Sequence, residues 1–344
     1  MKSATLTGIR QLELREVPEP RIRRQTDVFL KVEAIGVCGS DIHYYTTGRV
    51  GSQVVNYPYR VGHECAGTVL KTGPGVKRLK PGDRVAVDPA VWCGKCDQCR
   101  ASRYHTCRNL SFLGTPGQGE GSLCEYLVMP EASCYRVGRR MSMEAAALVE
   151  PLSIGVYAVE LSIPMPGKRI GILGFGPIGL SVLLAARDKG AGRIYVTDKI
   201  APRLDRARRL GACWSGNPDQ LDIVADVAKR EPLLLDAVFE CCGRQEALDQ
   251  AVDLLKPGGK LIIVGIPETD RVSFSIDKIR RREICIQNIR RQNECVQAAI
   301  DLLGKLKNKA ELMVTHRFCL ERTREAFDLV ASYGDGVFKA MILP

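Results

Sequence analysis

Aromatic residues make up only 6% of the 344-residue chain, with just two tryptophans, and none are interleaved with basic residues as a base-stacking surface would need. That scarcity matters because the formal charge is +11 and the isoelectric point is near 9.0, a balance that alone would point to nucleic acid. Arginines gather at Arg21–Arg24, Arg203–Arg209 and Arg280–Arg291 and are otherwise scattered. A general attraction for anionic small ligands accounts for such a charge, and no nucleic-acid partner is expected. No stretch approaches the roughly 20 apolar residues of a membrane-spanning helix. Met1–Glu16 mixes charges with isolated apolar residues and has no signal-peptide core. A cytoplasmic location without membrane attachment is the expectation. Internal repeats and low-complexity segments are also absent.

What is present is a globular composition, 45% apolar and 26% charged, in a chain too long for one ordinary core. Fourteen cysteines would mean disulfides in a small secreted protein; in a large chain without a signal they read as reduced thiols and metal ligands. Cys213, Cys241, Cys242, Cys285 and Cys319 lie in apolar or strand-like settings and are expected to be buried small hydrophobes. Cys93, Cys96, Cys99 and Cys107 stand apart, in the pattern C-x2-C-x2-C-x7-C among small and polar residues. Close thiolates can wrap one tetrahedral Zn2+, and four protein ligands leave no position for substrate, the mark of a structural site. A disulfide pair or a nucleic-acid-binding knuckle are the alternatives.

The organisation changes along the chain. The first 150 residues offer short β-rich runs cut by Gly and Pro: Val28–Ile35, Cys65–Lys71, and Arg84–Val87 after the turn Lys80-Pro81-Gly82-Asp83. That rhythm suits a partly closed β-barrel. From about Lys168 strands and helices alternate. The strands are Arg169–Leu173, Arg193–Thr197, Asp236–Glu240, Lys260–Val264 and Ile284–Gln287. The helices are Pro177–Lys189, Pro202–Leu210, Pro218–Lys229 and Gln245–Leu255. Such alternation argues for a parallel sheet with helices on both faces. Amphipathic helices are expected at Val296–Leu303 and Leu320–Ala331. The final strand Phe338–Leu343, with little partner structure nearby, is expected to pack on the N-terminal part.

Gly174-Phe175-Gly176-Pro177-Ile178-Gly179 follows the strand Arg169–Leu173 and opens a helix. G-x-G-x-x-G is weak evidence alone, but in this context it is a dinucleotide fingerprint. The glycines permit the turn and close approach to a pyrophosphate at the helix N-terminus. Asp198, about twenty residues on, can accept hydrogen bonds from the adenosine ribose and repel a 2′-phosphate. NAD is therefore expected over NADP; Lys199 and Arg203 are further cofactor-binding candidates, and as nearby cations they leave NADP as the alternative. The bland reading is a glycine turn and a surface aspartate.

A second constellation is quieter. Gly62-His63-Glu64-Cys65-Ala66-Gly67 sets an imidazole beside a carboxylate, and Gly36-Val37-Cys38-Gly39-Ser40-Asp41 offers a thiol upstream. Cys38, His63 and Glu64 from separate loops can bind one Zn2+ with a position open for water or substrate, which makes a metal catalytic.

With these motifs together, the chain resembles the zinc-dependent medium-chain dehydrogenase/reductase superfamily, and within it the sorbitol (polyol) dehydrogenase branch. The likeness covers essentially the whole length. Its further markers are Gly36–His43, Pro81–Val85, Glu150-Pro151-Leu152-Ser153 and Val314-Thr315-His316-Arg317-Phe318. The resemblance implies an α/β architecture: a GroES-like β-barrel catalytic domain (1–153 and 290–344) with a lobe at about 90–110. A Rossmann NAD-binding domain with a doubly wound parallel sheet (154–289) is inserted between its parts, with the active site in the cleft. It implies Cys38 and His63 as catalytic-zinc ligands, Glu64 as a third directly or through water, and Glu150 approaching the zinc or its water. Two zinc ions per chain and a homodimer or homotetramer follow from it as well.

The activity implied is oxidation of a secondary alcohol of a polyol to a ketose with hydride transfer to NAD+. Zinc brings the alcohol oxygen towards alkoxide near neutral pH. Ser40 is placed to take the proton and His43 to pass it towards solvent. Tyr44, Phe112, Arg290 and Arg291 are expected to line the substrate pocket. Two departures from the branch stand out: Arg291 replaces an aromatic after Arg290, and Ser52 stands where an aromatic is common. They leave open a phosphorylated or acidic sugar alcohol, or an L-threonine 3-dehydrogenase-like activity. A catalytically idle NAD- or nucleic-acid-binding relative is the non-enzyme alternative, against which the intact Cys38, His63, Glu64 and Glu150 set argues.

Overall fold

The computed structural model describes residues 1–267, 269–306 and 313–344. They form two compact units, Met1–Glu150 with Val296–Pro344, and Pro151–Cys295. The sequence expectation places the divisions at 153 and 290.

In the first unit the strand Asp27–Gly36 is the hub. Antiparallel partners are Glu64–Thr72, Tyr126–Pro130 and the C-terminal Lys339–Leu343. Arg84–Val87 and then Cys134–Arg136 extend one side, and Val314–Cys319 lies parallel to Lys339–Leu343 on the other, giving seven strands among the described residues. Alternation dictates the arrangement: Val28, Leu30 and Val32 point the same way, as period two requires, and join Val69, Val85 and Ile342 in one core. The register Met341↔Gly36 and Ile342↔Ile35 seats the last strand of the chain against the first motif.

The second unit holds a parallel sheet, six-stranded among the described residues. In spatial order its strands are Trp214–Gly216, Arg193–Thr197, Arg169–Leu173, Leu235–Glu240, Leu255–Ile263 and Cys285–Asn288. Numbered along the chain, that order is 3-2-1-4-5-6, the doubly wound pattern, with its switch point between the first and fourth strands. Both expected architectures, β-barrel and doubly wound sheet, are present.

Local details differ from expectation. Trp214–Gly216 is a short edge strand where none was read. The helix expected from Pro218 begins only at Ile223. Asn217 Oδ1 accepts from the Asp219 N–H, holding a turn, and Asp222 then caps the helix by accepting from the Ala225 N–H. Ile276–Arg281 is an unanticipated short helix with no buried residue, and therefore no apolar stripe to detect.

The cysteines need a larger correction. Cys213, Cys242, Cys285 and Cys319 are exposed and Cys241 is only half-buried. Cys285 and Cys319 lie on edge strands and Cys213 leads into one; Cys242 lies beyond the end of a strand. An apolar-looking strand at a sheet edge has only part of its surface covered. No helix among the described residues is long and apolar enough to cross a membrane.

Candidate active site and cofactor site

Cys38 lies two residues beyond the hub strand and stands at the N-cap of the helix Gly39–Thr47, while His63 immediately precedes the neighbouring strand that Glu64 opens. Their pairing brings a Cys38 Sγ, a His63 ring nitrogen and a Glu64 carboxylate oxygen within 4.8 Å of one another. Asp41, buried in the first turn of the helix, organises both loops. Its Oδ2 accepts from the Cys38 N–H at 3.2 Å and its Oδ1 from the Gly62 N–H at 3.1 Å. Oδ1 also lies 3.5 Å from His63 Nδ1, which leaves Nε2 as the nitrogen available to a metal, the usual outer-carboxylate arrangement. The Phe112 ring packs on the imidazole, 5.4 Å between centroids.

Electrostatics here favour a cation. Burial disfavours the His63 imidazolium, yet Asp41 and Cys38 together raise its pKa well above the ordinary value. Burial pushes Glu150 up to about 7; Glu64 and Asp88 add to the shift and His63 and Lys339 oppose it. Glu64 is not free: its two oxygens accept from Lys339 Nζ at 2.7 and 2.6 Å. A thiolate, an imidazole and carboxylates grouped in a negative field fit Zn2+ chemically.

The remaining predicted residues are distributed unevenly. Ser40 Oγ donates to Cys38 Sγ at 3.4 Å, so its hydroxyl adjoins the donor set. His43 is half-buried one turn along the same helix. Tyr44 is buried in the barrel core, its hydroxyl donating to Gln53 Oε1 at 3.1 Å. Arg290 and Arg291 belong to the second unit, and Arg291 adopts a left-handed φ of 55°.

The four cysteines of the lobe bring their sulfurs within 4.8 Å of one another. The Cys96 sulfur is 3.6 Å from that of Cys99 and 3.8 Å from that of Cys107, too far for the ~2.05 Å of a disulfide, and all four are free. Backbone N–H groups of Lys95 and Cys96 bring Cys93 down to about 6, and those of Cys99 and Arg108 lower Cys96. Burial and the neighbouring thiols push Cys99 up to about 12. Arg108 clamps Asp97 through two bonds of 2.5 and 2.9 Å, closing the loop beside Cys96 and Cys107. Four converging sulfurs, two of them in surroundings that favour the thiolate, fit a closed zinc site.

In the second unit the glycine loop sits at the carboxyl end of the first strand, beside the switch point. Gly174 has φ +92°, and a Cβ there would stand 2.8 Å from Cys242 Cβ. A Cβ on Gly179 would stand 2.1 Å from the Gly174 carbonyl oxygen, so only glycine lets this helix meet the loop. Gly176 caps the helix Pro177–Asp188, with Pro177 in its first turn and Ile178 following. Asp198 is drawn into the loop: Oδ2 accepts from the Phe175 N–H at 2.7 Å and Oδ1 from the Ile200 N–H at 2.9 Å. Arg203 lies 3.6 Å from Asp198 and reaches Gly176, whereas Lys199 pairs with Asp219 at 2.8 Å.

Two family models match the chain: the alcohol dehydrogenase GroES-like domain over residues 24–139 and the zinc-binding dehydrogenase over residues 177–305. The chain is 36% identical to a sorbitol dehydrogenase of Bacillus subtilis over 345 aligned residues, covering 100% of this chain and 97% of that protein. It belongs to the zinc-dependent medium-chain dehydrogenase/reductase superfamily. Within that superfamily it falls in the sorbitol dehydrogenase-like branch, among oxidoreductases acting on CH–OH donors. A solved Escherichia coli oxidoreductase/dehydrogenase of unknown specificity, involved in membrane biogenesis, superposes with a TM-score of 0.94 at 33% identity, covering 99% of this chain and 98% of that one. A zinc-binding dehydrogenase of Sinorhizobium meliloti solved with NADP bound gives 0.91 at 29% identity, covering 100% and 99%.

Three residues of this dehydrogenase escaped the sequence reading. Asp41 lies within Gly36–Asp41, but its bonds to Cys38 and Gly62 depend on strand pairing. Lys339 had one signal, a lysine opening an otherwise apolar strand. Glu240, fully buried at the end of the fourth strand, accepts from the Cys242 and Gly243 N–H groups at 2.7 and 2.6 Å and shapes the loop facing Gly174; it read as an ordinary strand end.

Proposed function

We propose that this chain oxidises a secondary alcohol carbon of a polyol or sugar alcohol to the ketone of a ketose, passing the hydride to NAD+. The observation that carries the reading is the convergence of Cys38, His63 and Glu64 within 4.8 Å, in a chain whose second unit presents a glycine loop at a switch point. The substrate class draws support from the sorbitol dehydrogenase of Bacillus subtilis.

Cys38, His63, Glu64 and Glu150 are the residues that would hold the catalytic zinc or its water; Cys93, Cys96, Cys99 and Cys107 would hold a structural one. When bound, the catalytic zinc supplies Lewis acidity that favours the alkoxide form of the substrate, and NAD+ supplies the hydride acceptor. The protein's own part is positioning and proton transfer. Asp41 orients His63. The Ser40 hydroxyl, beside Cys38, takes the alcohol proton, and His43 hands it towards solvent. Glu150, with a pKa near 7, can hold or release a proton at working pH. Tyr44 and Phe112 shape the apolar side of the pocket.

NAD is favoured because Asp198 would repel a 2′-phosphate, and because the nearby cations already have carboxylate partners, Arg203 with Asp198 and Lys199 with Asp219. Arg290 and Arg291 favour a second reading, a phosphorylated or acidic sugar alcohol: the left-handed φ of Arg291 is strain of the kind found at functional sites.

NADH formation across pentitols, hexitols, inositols, sugar phosphates and threonine, with and without a zinc chelator, tests the proposal. Turnover of a neutral polyol that the chelator abolishes supports it. Turnover confined to sugar phosphates moves the assignment to the second reading, and chelator-insensitive turnover sinks the metal's role.

A further inference from the structure

Lys339 is a buried cation beside a site built for another cation. Its side chain is 1% exposed, as is that of Glu64. Its three ammonium protons match three acceptors, the two Glu64 oxygens at 2.7 and 2.6 Å and the Val37 carbonyl at 3.1 Å. It thus touches the residue before Cys38 and the residue after His63, joining the two halves of the donor set.

The backbone makes room for this contact and fixes it. A Cβ on Gly36 would stand 2.1 Å from Glu64 Oε2, so glycine provides the clearance in which the carboxylate lies. The Val37 N–H donates to the Ala340 carbonyl at 3.0 Å, and Met341 and Ile342 pair with Gly36 and Ile35. The ammonium is therefore placed by strand pairing and not by a flexible reach from the surface.

A carboxylate already chelating an ammonium is a weaker donor to a second cation, an effect strengthened where water is excluded. The Cys38 thiolate and Glu64 would offer two negative charges to a bound dication, and Lys339 draws part of the Glu64 charge to itself. We propose that Lys339 is a positioning residue that keeps the catalytic metal loosely held and electron-poor, by fixing Glu64 and competing with the metal for its charge. This rests on the reading above that Cys38, His63 and Glu64 hold zinc. A metal that receives less charge from Glu64 would favour an alkoxide over a neutral alcohol more strongly, so the lysine that weakens metal binding strengthens the chemistry.

The test uses full-length, zinc-loaded protein and follows zinc release to a chromophoric chelator, with absorption of the cobalt-substituted protein as a second readout. Lys339→Met should release the zinc of the Cys38 site at least about tenfold more slowly than wild type, within the range of outer-shell substitutions. Its cobalt bands should shift as Glu64 becomes a full donor. Release at the wild-type rate or faster overturns the proposal. In the Glu64→Gln background Lys339→Met should change the rate less than about threefold; a full effect there overturns the competition for Glu64. Lys339→Arg, which keeps the charge, should restore wild-type release. If Lys339→Met does not fold, Glu64→Gln alone decides: release within about tenfold of wild type supports a carboxylate already claimed by Lys339, and acceleration beyond about a hundredfold overturns it. Wild-type protein with zinc only in the cysteine lobe would mean failure of the site assignment itself. Two zincs with unchanged release in Lys339→Met would mean failure of the lysine's role alone.

Discussion

The Asp41 carboxylate faces His63 Nδ1 at 3.5 Å while accepting the Gly62 N–H at 3.1 Å. One side chain thus sets both the ring's orientation and the loop that carries it. Asp41→Asn keeps the shape but loses the charge that favours a cation at His63. Zinc affinity at the Cys38 site should fall about 10- to 100-fold while the cysteine lobe keeps its metal. Equilibrium titration against a competing chelator, with the two sites counted separately, checks this; equal loss from both sites would point to general unfolding.

Cys96→Ser should behave in the opposite way. Replacing one sulfur of the closed site removes folding energy that the metal supplies. The variant should lose one zinc per chain and melt at lower temperature, with the Cys38 site still loaded. A melting temperature equal to wild type would remove the structural assignment of the lobe.

Glu150 makes a pH prediction for zinc-stripped protein. Its pKa is raised from 4.5 to about 7 on folding, chiefly by burial. Between those values the native state binds more protons than the unfolded chain, so stability falls as pH rises through the interval. Glu150→Gln escapes that loss. It should match wild type below pH 4.5, gain through pH 7, and be more stable above it by up to about 3 kcal/mol. Urea melts of both proteins across this range provide the comparison, and an advantage that does not grow with pH contradicts the shift.

Asp198→Ala should do more than relax cofactor choice. The carboxylate accepts the Phe175 N–H at 2.7 Å, so its loss also loosens the glycine loop. KM for NAD should rise, with the NAD-to-NADP preference falling at least about tenfold, the scale set by loss of a charge-assisted bond. Initial-rate kinetics with both cofactors decide it: unchanged selectivity would sever Asp198 from the ribose.

The sequence alone determined what depends on local spacing. Four thiols within one short loop, glycines between a strand and a helix, and an acid at the end of the next strand each carry chemistry whose geometry a few residues impose. The alternation of Val28, Leu30 and Val32 and the β-α rhythm after Lys168 likewise reach the right architecture, because the periods of strands and helices are local properties. Only tertiary structure decided what those groups face. Cys213, Cys285 and Cys319 are apolar in sequence context but exposed, because edge position is a property of the assembled sheet. Asp41 and Glu240 gained their roles from loops brought together by strand pairing. Lys339 shows the difference most clearly. It lies 275 residues beyond Glu64, and a single lysine in an apolar strand has no local partner. The register Met341↔Gly36 turns it into a buried counter-charge beside the Cys38, His63 and Glu64 cluster, where excluded water gives that one contact its strength.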